Sequence, residues 1–393
     1  MKIFVLLSRF PYPLEKGDKL RAYYQIKELA KDHEIHLFCL SDKKVSPEDR
    51  KVIEEIVTSL QVAKLNKIGI LWNLFLMIFS AKPFQIGYFY QKWIHQKIKN
   101  SIQKINPDHI YCQLIRTSEY VKDIHNTPKT IDYMDALGKG MYRRASISKG
   151  LKKWLLLQEG KRLSAYENRI FDYFNHHTII SDQDSAFINH PQHKSITIVE
   201  NGVAPKFSSF DQQVDKVYEL VFTGNMNYAP NIECAEYIAL QILPLLSKEN
   251  LKVKLLLSGA NPHHRIKQLN HIENVTVTGW VDDIRLSYAQ GKIFIAPLFI
   301  GTGLQNKLLE AMLMGLPCIT TTMANNALKA IPNESILIAN SAEEFSTSIR
   351  QLLNDENFYN EIAQNGKQMV SNMYSWEKSV EKLNQLFKIS NPN

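Results

Sequence analysis

Residues 295–321 read IAPLFIGTGLQNKLLEAMLMGLPCITT. Residues 293–298 form a short apolar run of the kind that makes a buried strand. Gly301, Thr302 and Gly303 follow as a tight turn. From Gln305 to Met314, the apolar residues Leu308, Leu309, Ala311, Met312 and Leu313 predict a largely buried helix. Gly315 stops that helix, and Pro317 leads into a second apolar run. Strand, glycine loop, helix and strand together predict a βαβ unit and therefore a parallel sheet.

A glycine loop feeding a helix start is a ready anion site, because its free N–H groups and the positive dipole end both favour phosphate. Lys307 adds a full charge in the first turn. Glu310, three residues on, faces the same side and could accept hydrogen bonds from two neighbouring sugar hydroxyls. Phosphate in the loop and ribose on Glu310 together describe a nucleotide-diphosphate site. The competing reading is an ordinary βαβ unit whose glycines only make a turn and whose Lys307 and Glu310 pair with each other.

Gly303, Lys307, Leu309, Glu310, Ala311, Met312, Gly315 and Pro317 lie in a pattern that resembles the signature of family-four glycosyltransferases of GT-B fold. GLQNKLLE resembles the form found in bacterial exopolysaccharide-associated sugar transferases. Thr302 stands where many members carry a further glutamate. The resemblance implies an α/β fold of GT-B type: two doubly wound parallel-sheet, Rossmann-like domains facing a cleft. It also implies a retaining transfer from a nucleotide-diphosphate sugar, with no metal and no other cofactor. Leu304, Gln305 and Asn306 join Thr302 and Gly303 as implied diphosphate contacts.

Upstream, ELVFTGNMNYAPN (219–231) predicts a strand, a turn and a helix opened by Pro230. Phe222–Asn231 resembles the same subgroup, which places Gly224, Asn225 and Asn227 near the donor. Other members carry an arginine and a lysine in this turn. GWVDD (279–283) resembles the loop beside the nucleotide base, which implicates Trp280 and Val281; a core role for Trp280 is the alternative.

The first half repeats the plan. Strand 2–8 and helix 19–31 enclose a loop, and strand 34–40 follows. Gly17 and Arg21 resemble the family's N-terminal diphosphate loop, which makes Arg21 a candidate to stabilise the departing diphosphate alongside Lys307. Asp135 follows a strand at 130–133 and is a candidate catalytic contact to acceptor or sugar, or else a helix cap. A long helix is expected at 152–174. NGV (201–203) resembles the close of the first domain. The expected domains are 1–205 for acceptor, 206–375 for donor, and a final helix at 376–393 that packs back on the first.

Residues 68–81, IGILWNLFLMIFSA, carry no charge and are flanked by Lys64, Lys67 and Lys82. The stretch is shorter than the roughly 20 residues of a spanning helix. It predicts either a buried helix or one that dips into a membrane interface on Trp72 and Phe75. Residues 1–205 hold 31 Lys and Arg against 21 Asp and Glu, and the remainder holds 16 against 18. The basic first half points to an anionic partner.

Four scattered cysteines predict reduced core thiols in a cytoplasmic chain, and no secretory signal pattern opens the sequence. The pairs His176–His177 and His263–His264 are adjacent rather than spaced as metal ligands. The reading that follows is a glycosyltransferase acting on a nucleotide sugar and a glycan or polyprenyl-diphosphate-linked acceptor. It would sit in the cytoplasm, peripheral on an anionic membrane face, in surface polysaccharide synthesis. A non-catalytic sugar-nucleotide binder and a nucleotide-sugar epimerase of the same plan are the alternatives. No nucleic-acid motif supports a nucleic-acid partner.

Overall fold

The computed structural model describes residues 1–14, 16–146, 148–299 and 304–390, without the side chain of Ser390. The chain divides into two compact units, Met1–Gly202 with Trp376–Asn393, and Val203–Ser375.

The first unit is built on a parallel sheet of β1 (Lys2–Leu7), β2 (Glu34–Ser41), β3 (Ser59–Lys64), β4 (His109–Gln113), β5 (Lys129–Asp132), β6 (His176–Ile179) and β7 (Thr197–Ile198). Their spatial order is β3-β2-β1-β4-β5-β6-β7. The strands read as near-continuous apolar runs because both faces are covered. Phe4, Leu6, Phe38, Leu40, Ile110 and Cys112 feed one core cluster. The alternating Ile3, Val5, Leu7, Ile35, Leu37, Cys39 and Tyr111 feed the other. This is the two-residue period of a strand seen from its two sides.

The last helix, Trp376–Ser390, belongs to the second of these clusters through Val380, Leu383 and Phe387. Phe387 lies 4.4 Å from the His109 ring, and Trp376 stacks on Tyr24 at 5.2 Å. Gly202 is required for this docking: a Cβ there would sit 2.5 Å from the Trp376 backbone nitrogen. Lys382 also donates to the Glu200 carboxylate at 2.6 Å.

The second unit carries the parallel sheet β10-β9-β8-β11-β12-β13. Its strands are β8 (Tyr218–Thr223), β9 (Leu255–Ser258), β10 (Val275–Gly279), β11 (Gly291–Ala296), β12 (Cys318–Thr320) and β13 (Leu337–Ile338). Helix Asn306–Leu313 joins β11 to β12, and Gly315 at φ +77° makes its left-handed stop. The amide of Leu316 returns to the Ala311 carbonyl at 3.0 Å, closing the helix end.

In both units the order reverses beside a central strand, between β1 and β4 and between β8 and β11, and ligands favour the carboxyl edge at such points. All four cysteines are free and buried. Among the described residues, no helix is long and apolar enough to cross a membrane.

Candidate functional site

At the carboxyl edge of the second sheet, the loops after β8 and β9 are locked together. Gly224 N–H donates to Ser258 O at 3.1 Å, and Met226 N–H to Ala260 O at 2.8 Å. Gly259 is obligatory, since a Cβ there would lie 1.8 Å from the Gly224 carbonyl oxygen. Asn225 and Asn227 are exposed on this turn, with the Asn227 amide capped by Asn225 Oδ1 at 3.1 Å. Asn231, in helix Ala229–Tyr237, donates from Nδ2 to Asn225 O at 2.9 Å.

The Asn231 Oδ1 accepts from Lys307 Nζ at 2.5 Å, and the ammonium lies 5.1 Å from the Phe222 ring centroid. Burial lowers the Lys307 pKa, against the pull of Cys234 and Glu310. Glu310 does not pair with Lys307. Its Oε2 accepts from the buried Tyr288 hydroxyl at 2.8 Å, and Tyr288 in turn accepts from Thr223 Oγ1 at 2.7 Å. Burial raises the Glu310 carboxyl to about 7, offset in part by the Tyr288 bond and by Lys206 and Lys307. Cation and carboxylate, one turn apart on one helix, are thus held by separate partners and remain two functional groups.

Leu304 and Gln305 are half-buried and Asn306 is exposed at the start of this helix. Thr302 and Gly303 lie outside the described residues. Trp280 is 72% exposed, with its indole N–H 3.3 Å from Asp282 Oδ1, and is no core aromatic; Val281 beside it is half-buried.

In the first unit, Gly17 is the first residue of helix Gly17–Leu29, and a Cβ there would meet nothing within 4 Å. Arg21 has no exposed surface. Its Nε and Nη2 donate to the two oxygens of Asp132 at 2.7 and 3.2 Å, and Nη1 donates to Asn201 Oδ1 at 2.8 Å. Burial works against the guanidinium, but Asp132 beside it outweighs that and raises its pKa. In this geometry Arg21 anchors β5 and the NGV segment. Asp135 is exposed, one residue beyond the left-handed Met134. Although the residue as a whole is exposed, neighbouring chain crowds its carboxyl, and that desolvation together with the nearby Asp184 raises its pKa.

Sequence reasoning passed over Tyr288, which carried no signal, and Asn231, whose signal was the closing PN of FTGNMNYAPN. Among the described residues, no three His, Cys, Asp or Glu side chains gather in a way that could hold a metal ion.

Residues 218–355 match the family model of glycosyl transferases group 1. The match lies within the second unit, and the chain as a whole has a GT-B fold. The chain is 21% identical to an uncharacterised 44.6 kDa protein in the cps region of Klebsiella pneumoniae, over 96% of this chain and 97% of that one. Its fold is similar to a glycosyltransferase from Rickettsia africae (TM-score 0.67, 13% identity, 100% and 99% of the chains). It is also similar to sucrose-phosphate synthase from Thermosynechococcus elongatus (0.66, 15%, 99% of both). A third match is Anabaena HepE, solved in complex with UDP-glucose (0.65, 12%, 98% and 99%). The family is a retaining one that uses nucleotide-sugar donors.

Proposed function

We propose that this protein moves a sugar, with retention, from a nucleotide-diphosphate donor on the second unit to a lipid-linked glycan acceptor on the first. The observation that carries the donor half is the separate anchoring of Lys307 and Glu310 at the carboxyl edge of the second sheet. Glu310 Oε1 accepts no hydrogen bond from the described residues and is free for ribose hydroxyls. The Lys307 ammonium and the N–H groups opening its helix oppose the charge that builds on the departing diphosphate. No protein nucleophile is needed for same-face attack, and the exposed Trp280 offers a face for the base.

The acceptor half rests on the basic first unit and on helix Lys67–Ile78, whose apolar side chains stand mostly in solvent: Trp72 is 61% and the adjoining Phe79 79% exposed. An apolar helix with a tryptophan and flanking lysines suits the face of an anionic membrane. The curated relative from a cps region favours a role in surface polysaccharide synthesis.

A thermal-shift screen against nucleoside diphosphates and their sugars, followed by a product assay, tests the reading. Glu310→Ala and Lys307→Ala should each abolish transfer by a folded protein. Wild-type turnover in both would remove the site. Epimer formed from donor without acceptor would replace transferase by epimerase.

A further inference from the structure

Two stretches of exposed apolar surface in the first unit are joined. Helix Lys67–Ile78 exposes Leu71, Trp72 and Phe75. The opening turns of helix Gly150–Phe171 expose Leu151, Trp154 and Leu155. Arg162 on the second helix donates to Met77 O on the first at 2.8 Å. The Glu159 carboxylate, also on the second helix, accepts the amides of Phe84 and Gln85 at 2.9 and 3.0 Å. Leu155 and Leu151 lie four and eight residues before Glu159, so they extend the same helical stripe.

Arg116 lies at the inner margin of this junction, just beyond β4. Its Nε and Nη2 both donate to one neutral atom, Gln85 Oε1, at 3.0 and 2.8 Å, and its guanidinium lies 5.4 Å from the Phe89 ring centroid. Among the described residues it forms no ion pair. Burial and the nearby Arg9, against the pull of Asp18 and Asp135, bring its pKa down to about 10. A crowded guanidinium usually has a carboxylate or another anion as its partner; here Gln85 supplies only an amide oxygen.

We propose that Arg116 receives the phosphate of a lipid phosphate whose hydrocarbon lies along the apolar surface of helices Lys67–Ile78 and Gly150–Phe171. The phosphate takes the two N–H groups now given to Gln85, a bidentate exchange of a neutral acceptor for a charged one. This rests on the transferase reading above and names its acceptor as an amphiphile, held at the head by one arginine and along the tail by two helices.

Calorimetry on the full chain with farnesyl diphosphate, inorganic pyrophosphate and farnesol tests it. Farnesyl diphosphate should bind at least about 10-fold more tightly than either fragment. Gln85→Glu places a carboxylate of the same shape on Arg116, and should weaken farnesyl diphosphate about 10-fold with the melting temperature unchanged. Arg116→Lys, which keeps charge but loses the fork, should weaken it similarly. Equal binding of farnesyl diphosphate and pyrophosphate, or full affinity in Gln85→Glu, overturns the proposal.

Phosphatidylglycerol vesicles separate this site from the bulk membrane surface. Their binding should be indifferent to Gln85→Glu, and a parallel loss would make Arg116 a general headgroup contact and sink the acceptor assignment. Nucleoside-diphosphate binding in the same calorimeter reports on the transferase reading alone, because Arg116 and Gln85 lie in the other unit.

Discussion

The Tyr288 hydroxyl, itself anchored by Thr223, donates a 2.8 Å hydrogen bond to Glu310 Oε2 from a fully buried position. The bond fixes the carboxylate on one side and leaves its other oxygen for a ligand. It also sets Glu310 in a poorly hydrated place, where its charge is costly.

Glu310→Gln should therefore separate stability from function. The folded carboxyl, raised from 4.5 to about 7, binds more protons than the unfolded one between those pH values. Its contribution to stability falls as pH rises through that window and stays lost above it. The variant should melt higher than the parent at pH 8 and nearly equal at pH 5. Donor affinity should drop roughly 10- to 100-fold, the size of one or two hydrogen bonds to a charged group. In the parent, donor binding should weaken as pH falls below about 7. Equal melting at pH 8 would show that Glu310 ionises without strain.

Asn231→Ala should release Lys307 from its side-chain acceptor among the described residues and from the turn at Asn225. We expect donor KM to rise about 10-fold with kcat changed less, since the charge survives but its aim does not. An unchanged KM would show that the ammonium is positioned by other means.

Arg21 and Asp132 should behave as a structural pair. Asp132→Asn leaves a buried guanidinium short of its carboxylate and should cost about 3–5 kcal/mol in chemical denaturation. Nucleoside-diphosphate affinity of the surviving folded fraction should match the parent. A selective loss of diphosphate affinity with normal stability would return Arg21 to the donor.

The triple change Trp72→Ser, Phe75→Ser, Phe79→Ser removes side chains that stand half or more in solvent. Melting should hold, while binding to anionic vesicles should fall about 100-fold, as expected when three large apolar groups no longer enter the interface. Unchanged vesicle binding would remove the membrane from the proposal.

Gly259→Ala should destabilise the second unit by about 3 kcal/mol or more, because the new methyl would strike the Gly224 carbonyl rather than a movable side chain. Urea denaturation measures it; a neutral result would mean that the two loops can part.

Much of this was legible in the primary structure. Continuous apolar runs alternating with amphipathic helices announced two parallel sheets, since that pattern arises when helices cover both faces of a sheet. Gly315 with Pro317 marked a helix end, and Lys307 and Glu310 shared a face by spacing alone. The final helix could be read as a helix, and its packing on the first unit was expected by resemblance.

Tertiary structure decided who holds whom. Lys307 meets Asn231 across 76 positions, and Arg21 meets Asp132 across 111. Periodicity describes one element at a time and says nothing about which side chains from distant elements converge on one strand edge. The same limit left residues 68–81 open between core and surface: their hydropathy fits both, and the choice turns on whether neighbouring elements have apolar area left to cover them. Here they do not, and the helix Lys67–Ile78 keeps only Ile70 buried. The sequence by itself determined the two-sheet plan and the placement of Lys307 and Glu310 on one helix face. Folding in three dimensions turned Arg21 inward and Trp72 outward, because burial is set by the whole packed surface and not by any residue's own preference.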